Sequence, residues 1–390
     1  MKSVMKILTV SAALAACAAP LFAGSGDPMY TPAAYHGDND LTEYYQAAQA
    51  MRVLSESTVA LFAPRGLVRG EDGRYTVRQT TVRQRFNLRE GETFNDQPSA
   101  AYCSGVLVGP DLVLTAGHCF QPDERGGPCG QVRFLFGYAV SRAGLLPSSF
   151  PAENIFGCKE IVAQMVQDDG HNIVCRNGRC TQGEPAGKGA DFALIRLDGV
   201  PNRKPLAISR APVAPGTAVG AIGYPSGMPV KIQEKGASVR TVSRAGYFTT
   251  DLDTFGGNSG SPVFNLQTYK IEGVLVRGDS DYSYTAPGST GTVVEDPRNP
   301  YNYNPGRANY YAQDGGKGED VTLISVVQSL IPVTEMETAL DSAGSLRWQS
   351  QRGGAPKAVP AVYSPGQGGL QVQPAVYTVP EPSGPQMISI

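Results

Sequence analysis

Residues 103–119 read CSGVLVGPDLVLTAGHC. Two short apolar runs, SGVLVG and DLVLTAG, are separated by Gly109 and Pro110, and both have the length and composition of strands rather than helices. The second run delivers His118, one of only three histidines in the chain, next to Cys119.

The same texture continues outward. From about residue 58 to 335, TVALFA, RYTVRQTTV, VRFLFGYAV, FALIRL, VGAIGY, ASVRTV and IEGVLV are further strand-like runs bounded by Gly, Pro, Asn or Asp. The spacing predicts an all-β barrel or sandwich. In EDVTLISVVQSLI, Val321, Ile324, Val327 and Ile331 recur at the helical period, interrupted only by Gln328, so a closing helix is expected there. Near the other end, Leu41, Tyr44, Tyr45, Ala48, Met51 and Arg52 share one helical face behind an Asp cap, which marks residues 24–57 as a pro-region or N-terminal helical segment.

The 390 residues, 41% hydrophobic, suffice for one large or two modest domains. A formal net charge of -2 gives neither nucleic acid nor an acidic membrane surface an electrostatic reason to bind.

Residues 1–23 read as a targeting segment: two lysines, an apolar stretch too short to span a bilayer comfortably, then small residues fit for cleavage near Ala23. Leu14-Ala15-Ala16-Cys17 also fits a lipobox, which would lipidate Cys17 and anchor the protein to a membrane. Either way the mature chain is exported: secreted, periplasmic, or outer-membrane anchored. Beyond Cys17 the cysteines are Cys103, Cys119, Cys129, Cys158, Cys175 and Cys180. In an exported chain they suggest three disulfides, with 15 possible pairings. A metal cluster is the weaker reading, because no CxxC pair occurs. After Trp348 a Pro/Gly/Gln-rich stretch carrying Pro-Ala-Val-Tyr twice cannot build a packed core, so 347–390 is expected to be a disordered tail.

For acyl transfer a hydroxyl needs a base, a carboxylate to orient that base, and donors for the developing oxyanion. His118 after DLVLTAG, Asp191 opening DFALIRL and Ser259 in FGGNSGSPVF are candidates for the first three parts, in that chain order. Gly256 and Gly257 allow the tight turn that would aim the amides of Gly257 and Ser259 at one point. An ordinary Gly-Asn-Ser-Gly loop is the plain alternative.

Together, TAGHC, DFALIRL and GNSGSPVF resemble the active-site motifs of the chymotrypsin-like serine endopeptidases, especially their bacterial glutamyl-endopeptidase branch. The resemblance implies two antiparallel six-stranded β-barrels with the site between them and a C-terminal helix, over a protease domain at 58–346. It implies His118 as general base and acid, Asp191 as its orienting carboxylate, Ser259 as nucleophile, and Gly257 and Ser259 as oxyanion donors. Protein or peptide substrates are implied, and no metal or cofactor. A Cys103–Cys119 disulfide bracketing the histidine is implied too. For the other four cysteines, proximity suggests Cys175 with Cys180 across CRNGRC, leaving Cys129 with Cys158.

The departures are informative. The stretch between His118 and Asp191 carries four extra cysteines and reads as a long stapled insertion. Asn258 stands where the digestive enzymes hold an aspartate for a newly cut N-terminus, so any activation works differently, with processing expected between Ala23 and Arg69. Asp253 lies at the trypsin offset for a pocket carboxylate and would favour Arg or Lys. Val276, Arg277 and Gly278 would pair with substrate backbone, and Arg277 would offer an acid-binding charge if it points inward. The pocket histidine of the glutamyl enzymes is absent from GVLVRGD. His36 and His171 have no partner motif and are expected at the surface. The other reading of the chain is a non-catalytic binding or adhesion protein built on the protease scaffold.

Overall fold

The computed structural model describes residues 35–120, 128–177, 179–185, 187–288 and 292–343. Cys17, the targeting segment and the 347–390 tail lie outside the described residues.

Two closed six-stranded antiparallel barrels dominate the described residues, with three small sheets beside them. In the first, Arg133–Phe136, Thr58–Phe62, Cys103–Leu107, Leu112–Thr115, Asp191–Leu197 and Ile155–Gln167 follow in order. Ile155, Phe156 and Gly157 close the ring by pairing with Leu135, Phe134 and Arg133. In the second, Ala218–Gly223, Pro262–Asn265, Ile271–Arg277, Glu319–Leu323, Tyr247–Thr250 and Lys231–Val242 follow, and the last of these pairs back onto the first.

These strands are apolar at successive positions because both faces are buried. Val59, Leu61, Val113, Phe134, Phe136, Ala193 and Ile195 pack together within the first barrel. Their neighbours Ala60, Phe62, Leu114, Leu135, Phe192 and Leu194 join Ile222, Phe264 and Val274 of the second barrel in a shared cluster between the two. Val219, Val239, Phe248, Val263, Leu275 and Val321 fill the second barrel. Side chains alternate across a strand, so one face lines a barrel and the other welds the barrels together.

The three disulfides are Cys103–Cys119, Cys129–Cys158 and Cys175–Cys180, the pairing that resemblance and proximity suggested. The stretch between His118 and Asp191 is less of an insertion than expected. It supplies two barrel strands, Arg133–Phe136 and the long Ile155–Gln167, while Ser149–Phe150 joins a separate small sheet with Tyr75–Val77 and the hairpin Asn172–Arg176 with Arg179–Gln182 extends past the barrel wall.

Residues 319–331 are not the expected helix. Glu319–Leu323 is the closing strand of the second barrel, followed by single 3-10 turns at Ile324–Val326 and Gln328–Leu330, and helix appears only over 335–343. Val, Thr and Ile at these positions suit a pleated wall, and the three-residue spacing of Val321, Ile324 and Val327 matches 3-10 turns as well as an α-helix. The N-terminal segment is only partly helical. Tyr35–His36 and Leu41–Glu43 are strands, and the helix is Gln49–Ser55. Met51 and Leu54 of that helix are buried. No helix among the described residues is long and apolar enough to cross a membrane.

Candidate active site

His118 sits in a 3-10 turn, Gly117–Phe120, directly after the strand Leu112–Thr115. A side chain at Gly117 would lie 2.8 Å from the carbonyl of Phe192, so only glycine lets this turn press against the strand that carries Asp191. The contact has a purpose. Asp191 Oδ1 accepts the amides of Gly117 and His118 at 2.6 and 3.1 Å, and Oδ2 lies 2.7 Å from His118 Nδ1. Asp191 is buried, whereas the imidazole keeps 31% of its surface exposed. A carboxylate at Nδ1 selects the tautomer with its proton there, which makes Nε2 the acceptor nitrogen of the ring.

The loop bearing Ser259 is docked on the first barrel. The amide of Ser104 donates to Ser259 O at 2.8 Å, and Cys119 Sγ, tied in its disulfide, lies 3.8 Å from the same oxygen. Gly260, at φ +88°, faces Ser104 O and Thr115 Oγ1 so closely that a Cβ would overlap both. Gly257, at φ +102°, has Tyr224 O where a Cβ would come within 2.8 Å. Ser104 holds this corner from below, its hydroxyl donating to Gly257 O at 2.8 Å and accepting the Tyr224 amide at 3.0 Å. Among the described residues, no protein group accepts from the amides of Gly257 or Ser259, and no hydrogen bond joins Ser259 Oγ to His118. Asn258 is buried, its side-chain oxygen 3.3 Å from Ser261 Oγ.

Several residues that shape this site were not singled out from the sequence. Gln164 is buried and donates to Gly117 O at 2.8 Å and Phe120 O at 3.2 Å, bracing the histidine turn. Thr322 of the second barrel bonds both the amide and the carbonyl of Asp191. Asp281 accepts the amide of Gly256 at 2.6 Å, and burial beside Asp296 pushes its carboxyl well above the usual range. Ser104, Gln164 and Thr322 are polar side chains buried in strands, and that contrast is the signal that would have found them.

The candidate substrate-binding residues fall in two places. The pairing of Ile271–Arg277 with Pro262–Asn265 stops at Val274, so on the nucleophile side the edge at Val276, Arg277 and Gly278 has no neighbouring strand among the described residues. The Arg277 side chain is engaged elsewhere. It reaches Asp320 at 3.3 Å, the carbonyl of Gly189 at 2.8 Å and that of Gln167 at 3.4 Å, so its charge is neutralised across the barrel junction. Gly278 backs onto the buried Glu319 carboxylate, which accepts from Thr254 Oγ1 and from the amide of Asp279. Asp253 is fully buried, and its oxygens accept the amides of His36 and Asp40, each at 2.8 Å. Burial pushes its carboxyl up to about 7, against the lowering effect of those two amides.

His36 is not a surface residue. It is 1% exposed, stacks on Tyr311 and accepts from Arg240 at Nδ1. His171 pairs with Asp168 at 2.9 Å at the edge of the protruding hairpin. Cys103, His118 and Cys119 are close enough to suggest a metal site, but the two sulfurs are joined in a disulfide and offer no thiolate.

Residues 103–274 match the family model of a trypsin-like peptidase domain. No curated protein matches the chain. Among solved structures, a Glu endopeptidase in complex with MPD is similar at 17% identity over 80% of this chain and 99% of its own, with a TM-score of 0.38. The Vibrio cholerae VesB protease is similar at 13% identity over 75% of this chain and 66% of its own, TM-score 0.38. An inactive form of Rv3671c from M. tuberculosis H37Rv is similar at 14% identity over 72% and 89%, TM-score 0.35.

Proposed function

We propose that the protein, whose residues 103–274 match the family model of a trypsin-like peptidase domain, is an exported serine endopeptidase. It would hydrolyse peptide bonds through His118, Asp191 and Ser259 and an acyl-enzyme intermediate. The observation that carries this reading is the buried Asp191 carboxylate: it takes His118 Nδ1 at 2.7 Å and the amides of the histidine turn, while Ser259 is docked against the neighbouring disulfide.

In this reading Ser259 Oγ attacks the substrate carbonyl as His118 Nε2 takes its proton. Asp191 stays ionised and stabilises the imidazolium that forms. The oxyanion is received by the amides of Gly257 and Ser259, fixed in place before the substrate arrives and so without reorganisation cost. His118 then protonates the leaving amine, and water, deprotonated by the same imidazole, releases the acyl group. Substrate backbone would extend the sheet edge at Val276–Gly278, an arrangement that holds the scissile bond by main-chain hydrogen bonds.

Export is supported by three disulfides, which persist in oxidising compartments. Intact mass of the exported protein distinguishes cleavage near Ala23 from a lipidated Cys17 start.

The enzyme reading is tested by fluorophosphonate labelling of the full chain and of Ser259→Ala. Labelling of the wild type alone is expected. Equal labelling of both, or of neither, sinks the reading and leaves a binding protein on a protease scaffold.

A further inference from the structure

The segment Asp251–Phe255 leads straight into the glycines and serine of the nucleophile loop, and the N-terminal strands are strapped across it. Tyr35–His36 lies parallel to Tyr310–Tyr311, and Leu41–Glu43 pairs antiparallel with Lys231, Ile232 and Gln233. Gln233 in turn accepts the amide of Asp253 at 2.8 Å. The Asp253 carboxylate closes the circuit by holding the amides of His36 and Asp40. Next to it, the Tyr35 ring meets Phe255 edge to face at 5.0 Å, and Phe255 is followed directly by Gly256 and Gly257. His36, wedged between Arg240 and Tyr311, has its Nε2 3.7 Å from the Glu319 carboxylate that binds Thr254. Every residue from Asp253 to Phe255 is thus held by the N-terminal segment or by a group that touches it.

We propose that Asp253 is a positioning residue that couples the N-terminal strap, residues 35–40, to the oxyanion loop, and not the base of a pocket for Lys or Arg. The inference rests on the serine endopeptidase reading of Ser259. A substrate cation has no route to Asp253, because the carboxylate is 0% exposed and each of its oxygens already takes an amide of the strap. What the carboxylate does control is where Thr254, Phe255 and Gly256 lie, and through them the direction of the Gly257 amide. The N-terminal strap is therefore a structural part of the working site, and its loss would disable the enzyme, not activate it. The chain has no aspartate at position 258 to fasten the loop from its other side. The strap does that work from a different direction, with backbone amides in place of an ammonium group.

The test uses the full chain and Asp253→Asn, whose amide NH2 must face one of the two strap amides. Labelling rate, kcat and KM on a peptide library, and hydrogen exchange at residues 35–40 and 255–259 are measured together. The expected result is a kcat lowered by about tenfold or more, as when an oxyanion donor is misaligned, with KM and the cleavage preference little changed. Exchange at both segments should quicken while the first barrel stays protected. Selective loss of cleavage after Lys and Arg, with other peptides unaffected, would overturn the proposal and restore Asp253 as a pocket base. Wild-type rates in the variant would overturn it too. If Asp253→Asn does not fold, Tyr35→Ala carries the test from the strap side, where an unchanged labelling rate refutes the coupling. Wild-type protein that does not label at all speaks against Ser259 chemistry, and exchange in the variants then still decides whether the strap holds the loop.

Discussion

The hydroxyl of Thr322 donates to the carbonyl of Asp191 at 2.8 Å and accepts the amide of the same residue at 2.9 Å. The second barrel thereby grips the first at the residue that orients His118. Thr322→Val leaves a buried N–H and C=O without a partner and should cost about 1–3 kcal/mol of stability. It should also lower kcat, because the carboxylate loses its fixed origin. Thr322→Ser keeps the hydroxyl and should restore both. Thermal unfolding with peptide hydrolysis checks this, and a Val variant equal to wild type would refute the clasp.

Asp191→Asn preserves volume but puts an amide beside His118 Nδ1, favouring the tautomer whose Nε2 carries the proton. A fall in kcat of about 10⁴ is expected, with the fold intact by circular dichroism. Retention of most activity would remove Asp191 from the proposed chemistry.

Gly260→Ala meets two obstacles at once, a φ of +88° and overlap with Ser104 O and Thr115 Oγ1. A loss of about 3 kcal/mol or more is expected, with much reduced labelling at Ser259. Urea titration measures the first effect and probe kinetics the second.

Lys231 is buried, and burial lowers its ammonium to about 8 despite Glu43 at 3.3 Å. Gln97 and Pro229 accept from it at 2.9 and 2.8 Å, and the Phe94 ring lies 4.8 Å away. Lys231→Met alone strands the Glu43 carboxylate and should cost about 3–5 kcal/mol. Adding Glu43→Leu should recover much of that loss, which a double-mutant cycle in urea would reveal.

Asp253 sets a slope in the stability curve. Its folded value of about 7 stands above the ordinary 3.8, so between these values the folded chain keeps a proton that the unfolded chain has released. The stabilisation from this group is full below pH 3.8 and is lost as pH rises to about 7. Asp253→Asn should flatten that part of the curve relative to wild type. Parallel curves would show that the carboxyl titrates normally.

The barrel was legible in the sequence wherever a strand is buried on both faces. TVALFA, SGVLVG, DLVLTAG, FALIRL, VGAIGY and IEGVLV all became barrel walls. Ile155–Gln167 was not, because half-exposed positions and the exposed Lys159-Glu160 pair, at an irregularity in its pairing with Asp191–Leu197, break its apolar run. Within RYTVRQTTV, only Tyr75–Val77 is strand. Thr81 and Gln84 instead form a capping box that starts the short helix Val82–Phe86, a signal present in the sequence and passed over. His118 and Asp191 were found by motif, and their hydrogen bond is a matter of three dimensions that no motif contains. His36 could not be found, since Gly37, Asp38 and Asn39 make its surroundings read as an exposed loop. Its burial comes from partners more than 200 residues away.

The strands that frame the nucleophile loop come from opposite ends of the described chain. Tyr35–His36 and Leu41–Glu43 are the earliest, and Glu319–Leu323, with Thr322, is the last. Tyr35–His36 pairs with Tyr310–Tyr311, and Asp253 holds the amides of His36 and Asp40, contacts between residues far apart in the chain whose closure costs more entropy than local pairing. Without Glu319–Leu323 the histidine turn and the serine loop would lack the Thr322 clasp on Asp191 that joins the two barrels at this point. The geometry of the candidate triad thus depends on both ends of the described chain having taken their places.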